Sequence, residues 1–222
     1  MKITGAIFDM DGTLVNSLIV WEVLWEKMGV HYLGKEGFCP SNADDRAVRT
    51  MTLIDAMTLI HNNYSIAESG EALWRYATDM MAGCYKTEVE LKADVKEFLE
   101  SLYKNGVKMC VASATAPDLV SLATEHCGIE KYFPRLISCA DVGRGKEHPD
   151  VFLKALEYLG TDMETTWVFE DSAVALTTAS KAGFKTVGIY DRCNFGHDIA
   201  RSVSDIYIDD GETLKKAEEV LL

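Results

Sequence analysis

Short apolar runs rich in β-branched and aromatic residues alternate along this chain with segments of helical periodicity. The candidate strands are Ile3–Phe8, Val107–Ala112, Leu136–Cys139, Trp167–Phe169, Thr186–Ile189 and Ile206–Ile208. Strands that alternate with helices predict a parallel sheet, because each parallel pairing needs a crossover connection that a helix can supply. The predicted fold class is therefore α/β, with helices on both faces of a parallel sheet.

The helical segments divide the chain into two predicted domains. Those between the strands are Glu88–Lys104, Pro117–His126, Pro149–Leu159, Ala173–Lys181 and Thr213–Leu222. Residues 16–85 contain no convincing strand, but helical spacing recurs in Leu18–Met28, Val48–Ile60 and Ala72–Met81. We therefore expect an α/β core of residues 1–15 and 86–222 and an inserted helical domain of residues 16–85.

Charge and composition limit the classes of partner. The 222 residues include 35 acidic and 22 basic side chains, for a net charge of −13. This balance argues against nucleic acid or an anionic membrane surface as the main partner, and a small anionic substrate would need a local positive group. The first residues match neither a signal peptide nor a membrane span. The six cysteines form no C-x-x-C pair, so we expect a cytoplasmic protein.

The segment Asp9–Thr13, with the sequence D-M-D-G-T, directly follows the first predicted strand. Groups at the carboxyl ends of parallel strands line the ligand crevice of an open α/β sheet. Asp9 and Asp11 could hold a hard cation such as Mg²⁺ there, or act as nucleophile and general acid–base. The alternative is that both aspartates only form a turn, since Asp and Gly are common turn residues.

Three further strand ends carry polar groups. Ser113 and Ala114 follow the second strand and precede a helix that begins at Pro117, an arrangement that suits an anion but also suits simple helix capping. Lys146 follows the third strand and could neutralise a phosphate, although most loop lysines are solvated. Glu170 and Asp171 follow the fourth, where Asp171 or Ser172 could cap the next helix. Together these strand ends could supply a metal site, a phosphate-binding site and a nucleophile.

These four segments, in this order, resemble the haloacid dehalogenase superfamily, in the subgroup with a helical cap inserted after the first strand. The resemblance covers nearly the whole chain and implies a Rossmann-like core. It implies a Mg²⁺-dependent phosphatase that acts on a small phosphorylated metabolite, with a sugar phosphate as the expected substrate class, and we expect a monomer.

The resemblance also implies roles for individual residues. Asp9 corresponds to the nucleophile that becomes an aspartyl-phosphate. Asp11 corresponds to the acid–base that protonates the leaving oxygen and then activates water, and its backbone carbonyl is implied to bind Mg²⁺. Asp171, with Glu170 beside it, corresponds to the rest of the metal site.

For the phosphate group itself, the resemblance implies three residues. Ser113 and the Ala114 amide correspond to the phosphate-binding pair, and Lys146 corresponds to the stabilising cation. In the cap, Arg46 and Arg49 are three residues apart and could reach the polar end of a substrate, although solvated surface arginines are the simpler interpretation.

Two other activities compete with a phosphatase. Dehalogenases of the family lack a carboxylate at the position of Asp11, which weighs against dehalogenation. The chain also resembles β-phosphoglucomutase, but Trp21 stands where that mutase has a His, and Thr115–Pro117 stand where it has Ser-Lys-Asn. These differences favour hydrolysis. A catalytically idle protein that binds a phosphorylated metabolite would be expected to lack Asp9, Asp11 or Asp171, and all three are present.

Overall fold

A computed structural model describes residues 2–48 and 51–222. The chain divides into two compact units, one formed by Met1–Ser17 with Val89–Leu222 and the other by Leu18–Glu88. Within the described part of the chain, no helix has both the length and the apolar character needed to cross a membrane.

The first unit is built on a six-stranded sheet with the strand order β3-β2-β1-β4-β5-β6. The strands are β1 (Gly5–Phe8), β2 (Lys108–Ser113), β3 (Leu136–Ser138), β4 (Thr166–Glu170), β5 (Lys185–Ile189) and β6 (Ile206–Ile208). Every neighbouring pair is parallel. The predicted parallel α/β fold is therefore confirmed, and the structure contains each predicted strand with its bounds shifted by two residues or fewer.

Helices connect these strands, as parallel pairing requires. The connecting helices of this unit are α5 (Val95–Lys104), α6 (Pro117–His126), α7 (Asp150–Leu159), α8 (Ala173–Ala182) and α9 (His197–Val203), and α10 (Lys215–Leu221) follows the last strand. The short helix α9 was not predicted from the sequence. The predicted start of α5 at Glu88 is wrong, because Leu91 pairs with Val15 in an extended bridge. Asp94 then adopts a left-handed conformation with φ of 60°, which interrupts a continuous helix directly before Val95.

The second unit is helical and contains α1 (Val20–Met28), α2 (Asn42–Val48), α3 (Leu53–Tyr64) and α4 (Gly70–Thr87). The continuous helical spacing predicted over Val48–Ile60 is divided between two helices. The second of them begins after Thr52, which is extended and whose side chain accepts a hydrogen bond from the Asp55 amide. Spacing alone did not reveal this break, because the apolar positions on both sides keep helical intervals.

Two tryptophans pack within the helical unit. Trp25 is buried, and its indole Nε1 donates a hydrogen bond to Oδ1 of Asp45 over 2.8 Å. The ring of Trp21 lies 5.5 Å from that of Trp25, centroid to centroid. Both tryptophans therefore contribute to the packing of this unit.

An aromatic cluster lies beneath the carboxyl ends of the two central strands. Phe8, at the end of β1, stacks on Phe169 of β4 with ring centroids 4.4 Å apart. Phe98 and Phe133 pack edge-on against Phe8 from the surrounding segments. Asp9 and Glu170 directly follow the two stacked rings, so this packing fixes the backbone that carries them.

Candidate active site

The strand order brings the predicted site residues to one edge of the sheet. β1 lies between β2 and β4, and Phe8 is in register with Val111 and with Phe169. The backbone amide of Asp9 donates a hydrogen bond to the carbonyl oxygen of Phe169 over 2.9 Å. Asp9 therefore leaves the sheet beside the end of β4, where Glu170 follows.

Asp9, Glu170 and Asp171 form a buried carboxylate cluster. Each offers one carboxylate oxygen, and these three oxygens lie within 4.8 Å of one another. All three residues are less than a tenth exposed. Among residues 2–48 and 51–222, this is the one group of three acidic, His or Cys side chains arranged to hold a metal ion.

Lys146 is the cation of this cluster. Its Nζ donates to Oδ1 of Asp9 and, over 2.6 Å, to Oε2 of Glu170. The Lys146 side chain is only 11% exposed, so these are buried ion pairs rather than solvated ones. The alternative interpretation of Lys146 as an ordinary surface lysine is wrong.

Burial and like charge dominate the electrostatics of the cluster. Burial, together with the negative charge of Glu170, raises the pKa of Asp9 from 3.8 to about 8, although Lys146 opposes the shift. Burial and the negative charges of Glu170 and Asp9 raise the pKa of Asp171 well above its ordinary value. Burial opposes the charged form of Lys146, but the carboxylates of Asp9 and Glu170 outweigh that effect and raise its pKa.

The donor set fits a divalent, oxygen-seeking cation. When all three carboxylates are ionised, as ligation of a cation requires, the single ammonium of Lys146 leaves two negative charges uncompensated in a buried place. Hard cations such as Mg²⁺ prefer carboxylate oxygens and carry the matching charge. Asp9, Glu170 and Asp171 could therefore hold such an ion.

The Asp11 carboxylate lies outside the cluster and has its own partners. It accepts hydrogen bonds from the Ser17 hydroxyl over 2.5 Å and from the Thr115 hydroxyl over 2.6 Å. Two donors hold this side chain at the end of β1, so Asp11 does not serve only as a turn residue. The predicted metal ligand at this position is a backbone carbonyl, and that contact stays a prediction.

Ser113 ends β2 and is 2% exposed, while Ala114 beside it is exposed. The Ser113 hydroxyl accepts a hydrogen bond from the Thr115 amide over 3.1 Å. The alternative that a hydroxyl here caps helix α6 is wrong, because the N-cap residue is Ala116, which makes no side-chain cap. After the end of β4, the Ser172 side chain caps α8 by accepting a hydrogen bond from the Ala175 amide. Asp171 is therefore not the capping residue and belongs to the carboxylate cluster.

Two residues that were not predicted as part of the site contact Asp171. The Thr13 hydroxyl donates to Oδ1 of Asp171 over 3.2 Å, and the Asn194 side-chain amide donates to Oδ2 over 2.7 Å. Thr13 belongs to the motif that follows β1, so its place in the motif was the available indication. Asn194 lies in the loop after β5, and no pattern in the sequence distinguished it.

The structure brings Asp9, Glu170, Asp171 and Lys146 together within the first unit. Arg46 lies on α2 in the helical unit and is exposed. Arg49 lies outside the described residues. Both remain predicted substrate contacts.

Residues 6–189 match the family model of the haloacid dehalogenase-like hydrolases. The match covers most of the chain, and this protein therefore belongs to that family. The membership predicted from the four strand-end segments is confirmed, as is the prediction that the chain is a hydrolase.

Curated relatives agree with this membership, and a solved structure shares the fold. The chain is 24% identical over 219 residues to the phosphorylated carbohydrates phosphatase of Thermotoga maritima, with 98% of this chain and 99% of that protein covered. It is 26% identical over 199 residues to the pyrophosphatase PpaX of Bacillus mycoides, covering 85% and 84% respectively. The fold resembles CbbY from Rhodobacter sphaeroides, solved with phosphate, at a TM-score of 0.77, 20% identity and coverage of 93% and 94%.

Proposed function

We propose that this protein is a Mg²⁺-dependent phosphatase that hydrolyses a small phosphorylated metabolite through a phosphorylated Asp9. One observation carries the proposal: the Asp9 carboxylate, at the end of the central strand, contacts Lys146 and belongs to a buried group of three carboxylates. A sugar phosphate is the proposed substrate class, supported by the name of the Thermotoga maritima relative. The proposed setting is the cytoplasm, with the chain acting as a monomer.

Asp9, Glu170 and Asp171, together with the Asp11 backbone carbonyl, would hold the Mg²⁺ ion. When bound, the ion supplies positive charge that offsets the repulsion between the Asp9 carboxylate and a phosphate dianion. The fit is supported by the charge of the fully ionised cluster, whose two uncompensated negative charges a divalent ion would neutralise.

In the first proposed step, a carboxylate oxygen of Asp9 attacks phosphorus and the bond from phosphorus to the substrate oxygen breaks. Asp11 donates a proton to that leaving oxygen, so the alcohol departs neutral. Lys146, Ser113 and the Ala114 amide stabilise the phosphoryl oxygens during transfer. The two hydroxyls on Asp11 hold its carboxylate in one orientation for this proton transfer.

In the second step, Asp11 accepts a proton from a water molecule as that water attacks phosphorus. The bond between Asp9 and phosphorus breaks, inorganic phosphate is released and the Asp9 carboxylate is restored. Each of the two carboxylates thus returns to its starting state, as turnover requires.

Transfer to water, rather than to a second sugar hydroxyl, is the favoured outcome. Trp21 and Thr115–Pro117 stand where the mutase has a His and Ser-Lys-Asn, and these differences remove groups that would suppress water attack or hold a second phosphate.

The test uses purified protein with p-nitrophenyl phosphate and Mg²⁺, compared with Asp9→Asn and with a chelated sample. We expect turnover by the wild type only, with a loss of at least about 1,000-fold in Asp9→Asn. Asp162→Asn is the matched control, because Asp162 is exposed and precedes β4, at the opposite edge of the sheet. It should retain the activity of the wild type.

A second variant tests the covalent step directly. Because p-nitrophenol leaves without needing a proton, Asp11→Asn should still phosphorylate Asp9 but hydrolyse it slowly. A burst of p-nitrophenol and a phosphoryl adduct mapped to Asp9 by mass spectrometry are expected. An inactive wild type across a panel of sugar phosphates and pyrophosphate would support the idle binding protein instead, and phosphoryl transfer between sugar hydroxyls would support the mutase.

A further inference from the structure

The Asp171 carboxylate is held at both of its oxygens. Its Oδ1 accepts from the Thr13 hydroxyl at 3.2 Å, and its Oδ2 accepts from the Asn194 side-chain amide at 2.7 Å. Asp171 itself is 3% exposed, so water does not compete freely for these positions. The shorter of the two hydrogen bonds comes from Asn194, which lies outside every motif discussed above.

The orientation of the Asn194 amide is determined by a second hydrogen bond. Its Oδ1 accepts from the backbone amide of Phe195 over 2.8 Å. With the oxygen occupied in this way, the NH₂ group is the one that faces Asp171. A neutral donor suits this place, because it orients a carboxylate without adding a positive charge that would compete with a cation.

The loop that carries Asn194 is held by a buried ion pair. Asp191 Oδ2 lies 2.8 Å from Lys92 Nζ, and the two side chains are 8% and 16% exposed. Lys92 Nζ also donates to the Tyr190 carbonyl over 2.9 Å. Asp191 Oδ1 accepts a hydrogen bond from the backbone amide of Cys193. The backbone carbonyl of Asp191 accepts one from the backbone amide of Asn194. These contacts close a tight turn over residues 191–194.

Lys92 is in turn fixed to the segment that follows the motif of β1. Its backbone amide donates to the Leu14 carbonyl over 2.9 Å, and the neighbouring Leu91 pairs with Val15. The turn therefore rests on the same stretch of chain that carries Asp9 and Asp11, rather than on a free loop.

We infer that Asn194 is a positioning residue of the metal site: its amide holds the Asp171 carboxylate in the orientation that binds the ion, and the Lys92–Asp191 pair holds Asn194 in place. The inference deepens the proposed function and rests on the metal site proposed there. Removing a hydrogen bond to a metal-ligating group commonly weakens metal binding by about 10- to 100-fold.

The first test measures metal binding without reference to activity. Metal-free protein is titrated with Mg²⁺ by calorimetry, and the Mg²⁺-induced rise in the thermal unfolding midpoint is recorded in parallel. Asn194→Ala should weaken Mg²⁺ binding by about tenfold or more. Asn194→Ser should weaken Mg²⁺ binding to a similar extent, because the shorter serine side chain cannot reach Asp171 with its hydroxyl. The matched control is Asn105→Ala, which removes an exposed amide at the end of α5 and should leave Mg²⁺ affinity unchanged.

An isosteric variant separates this role from a purely structural one. Asn194→Asp keeps an oxygen for the Phe195 amide but replaces the donor to Asp171 by a second carboxylate. In metal-free protein its unfolding midpoint should fall below those of the wild type and Asn194→Ala. If Asn194 served only the turn, Asn194→Asp would match the wild type, and the inference would be overturned.

The role of the ion pair is tested by a double-mutant cycle. Asp191→Asn should weaken Mg²⁺ binding in the wild type but have little further effect in Asn194→Ala, because its influence passes through Asn194. Additive effects would overturn this part of the inference. A wild type that binds no Mg²⁺ would refute the proposed metal site, whereas tight Mg²⁺ binding by both wild type and Asn194→Ala would refute the inference alone.

Discussion

The hydroxyl of Thr115 donates a hydrogen bond of 2.6 Å to Oδ2 of Asp11, and so connects the end of β2 to the motif that follows β1. The Thr115 amide also donates to the Ser113 hydroxyl. One residue thus contacts both the proposed acid–base and the proposed phosphate-binding serine.

We expect Thr115→Val to lower kcat by about tenfold. A hydrogen bond to a charged group contributes about 1.5–3 kcal/mol, and Ser17 remains as the other donor to Asp11. Steady-state kinetics should show a larger loss of kcat/KM, which reports the phosphorylation step, with β-glycerophosphate than with p-nitrophenyl phosphate, because only the alkyl leaving group needs a proton. Thr4→Val, at the opposite end of β1, is the control. Equal losses of kcat/KM on both substrates would contradict a role through Asp11 as the acid.

Lys146→Met should destabilise the metal-free protein strongly. The substitution leaves the Asp9 and Glu170 carboxylates buried without their cation, and breaking a buried ion pair in this way costs about 3–5 kcal/mol. Urea denaturation in the presence of chelator measures the change. Lys185→Met removes an ion pair of similar length, Lys185–Asp205 at 2.7 Å, but with the lysine half exposed, and should cost about 1 kcal/mol or less. Similar losses in both variants would argue against a buried charged cluster.

The stability of the metal-free protein should fall as the pH rises from 6 to 8. Asp9 has its pKa raised to about 8 in the folded protein against an ordinary 3.8, so over this range the folded state binds a proton that the unfolded state has lost. Stability therefore decreases with increasing pH until the folded pKa is passed. Thermal unfolding in the presence of chelator measures the trend.

Asp9→Asn is the variant that checks this pH dependence, since it cannot titrate. Its unfolding midpoint should vary less between pH 6 and 8 than that of the wild type, with the remaining slope due to Asp171, whose pKa is also raised. Saturating Mg²⁺ should flatten the wild-type profile as well, because a bound cation favours the ionised carboxylates. Parallel profiles for wild type and variant would exclude Asp9 as the titrating group.

Phe8→Ala should cost about 3–5 kcal/mol of folding free energy. Phe8 is fully buried and stacks on Phe169 at 4.4 Å, directly before the two acidic residues of the central strands. Chemical denaturation gives the stability change, and Mg²⁺ affinity should weaken at the same time because the backbone beneath Asp9 shifts. Tyr103→Ala, at a ring that is 60% exposed, should cost far less and leave Mg²⁺ affinity unaltered.

Much of the fold was predictable because most strands and helices are specified by the residues within them. The strands are short runs of β-branched and aromatic residues whose burial on both faces of a parallel sheet leaves little ambiguity. Helix α6 begins at Pro117 and ends at His126, as predicted, because proline marks a first helical turn. The predicted start of α5 was wrong because Leu91 pairs with an earlier segment of the chain. No feature of the sequence around Leu91 indicates that pairing.

The sequence by itself determined that carboxylates, a hydroxyl and an amine follow successive strands, since each residue type and each strand end is a local feature. Only the tertiary structure decided which of them meet. Placing β1 between β2 and β4 puts Asp9 beside Glu170, and a loop then carries Lys146 onto both carboxylates. Asn194 reaches Asp171 from a turn after β5. Contacts between residues so distant along the chain depend on strand order and loop conformation, which no periodicity in the sequence encodes.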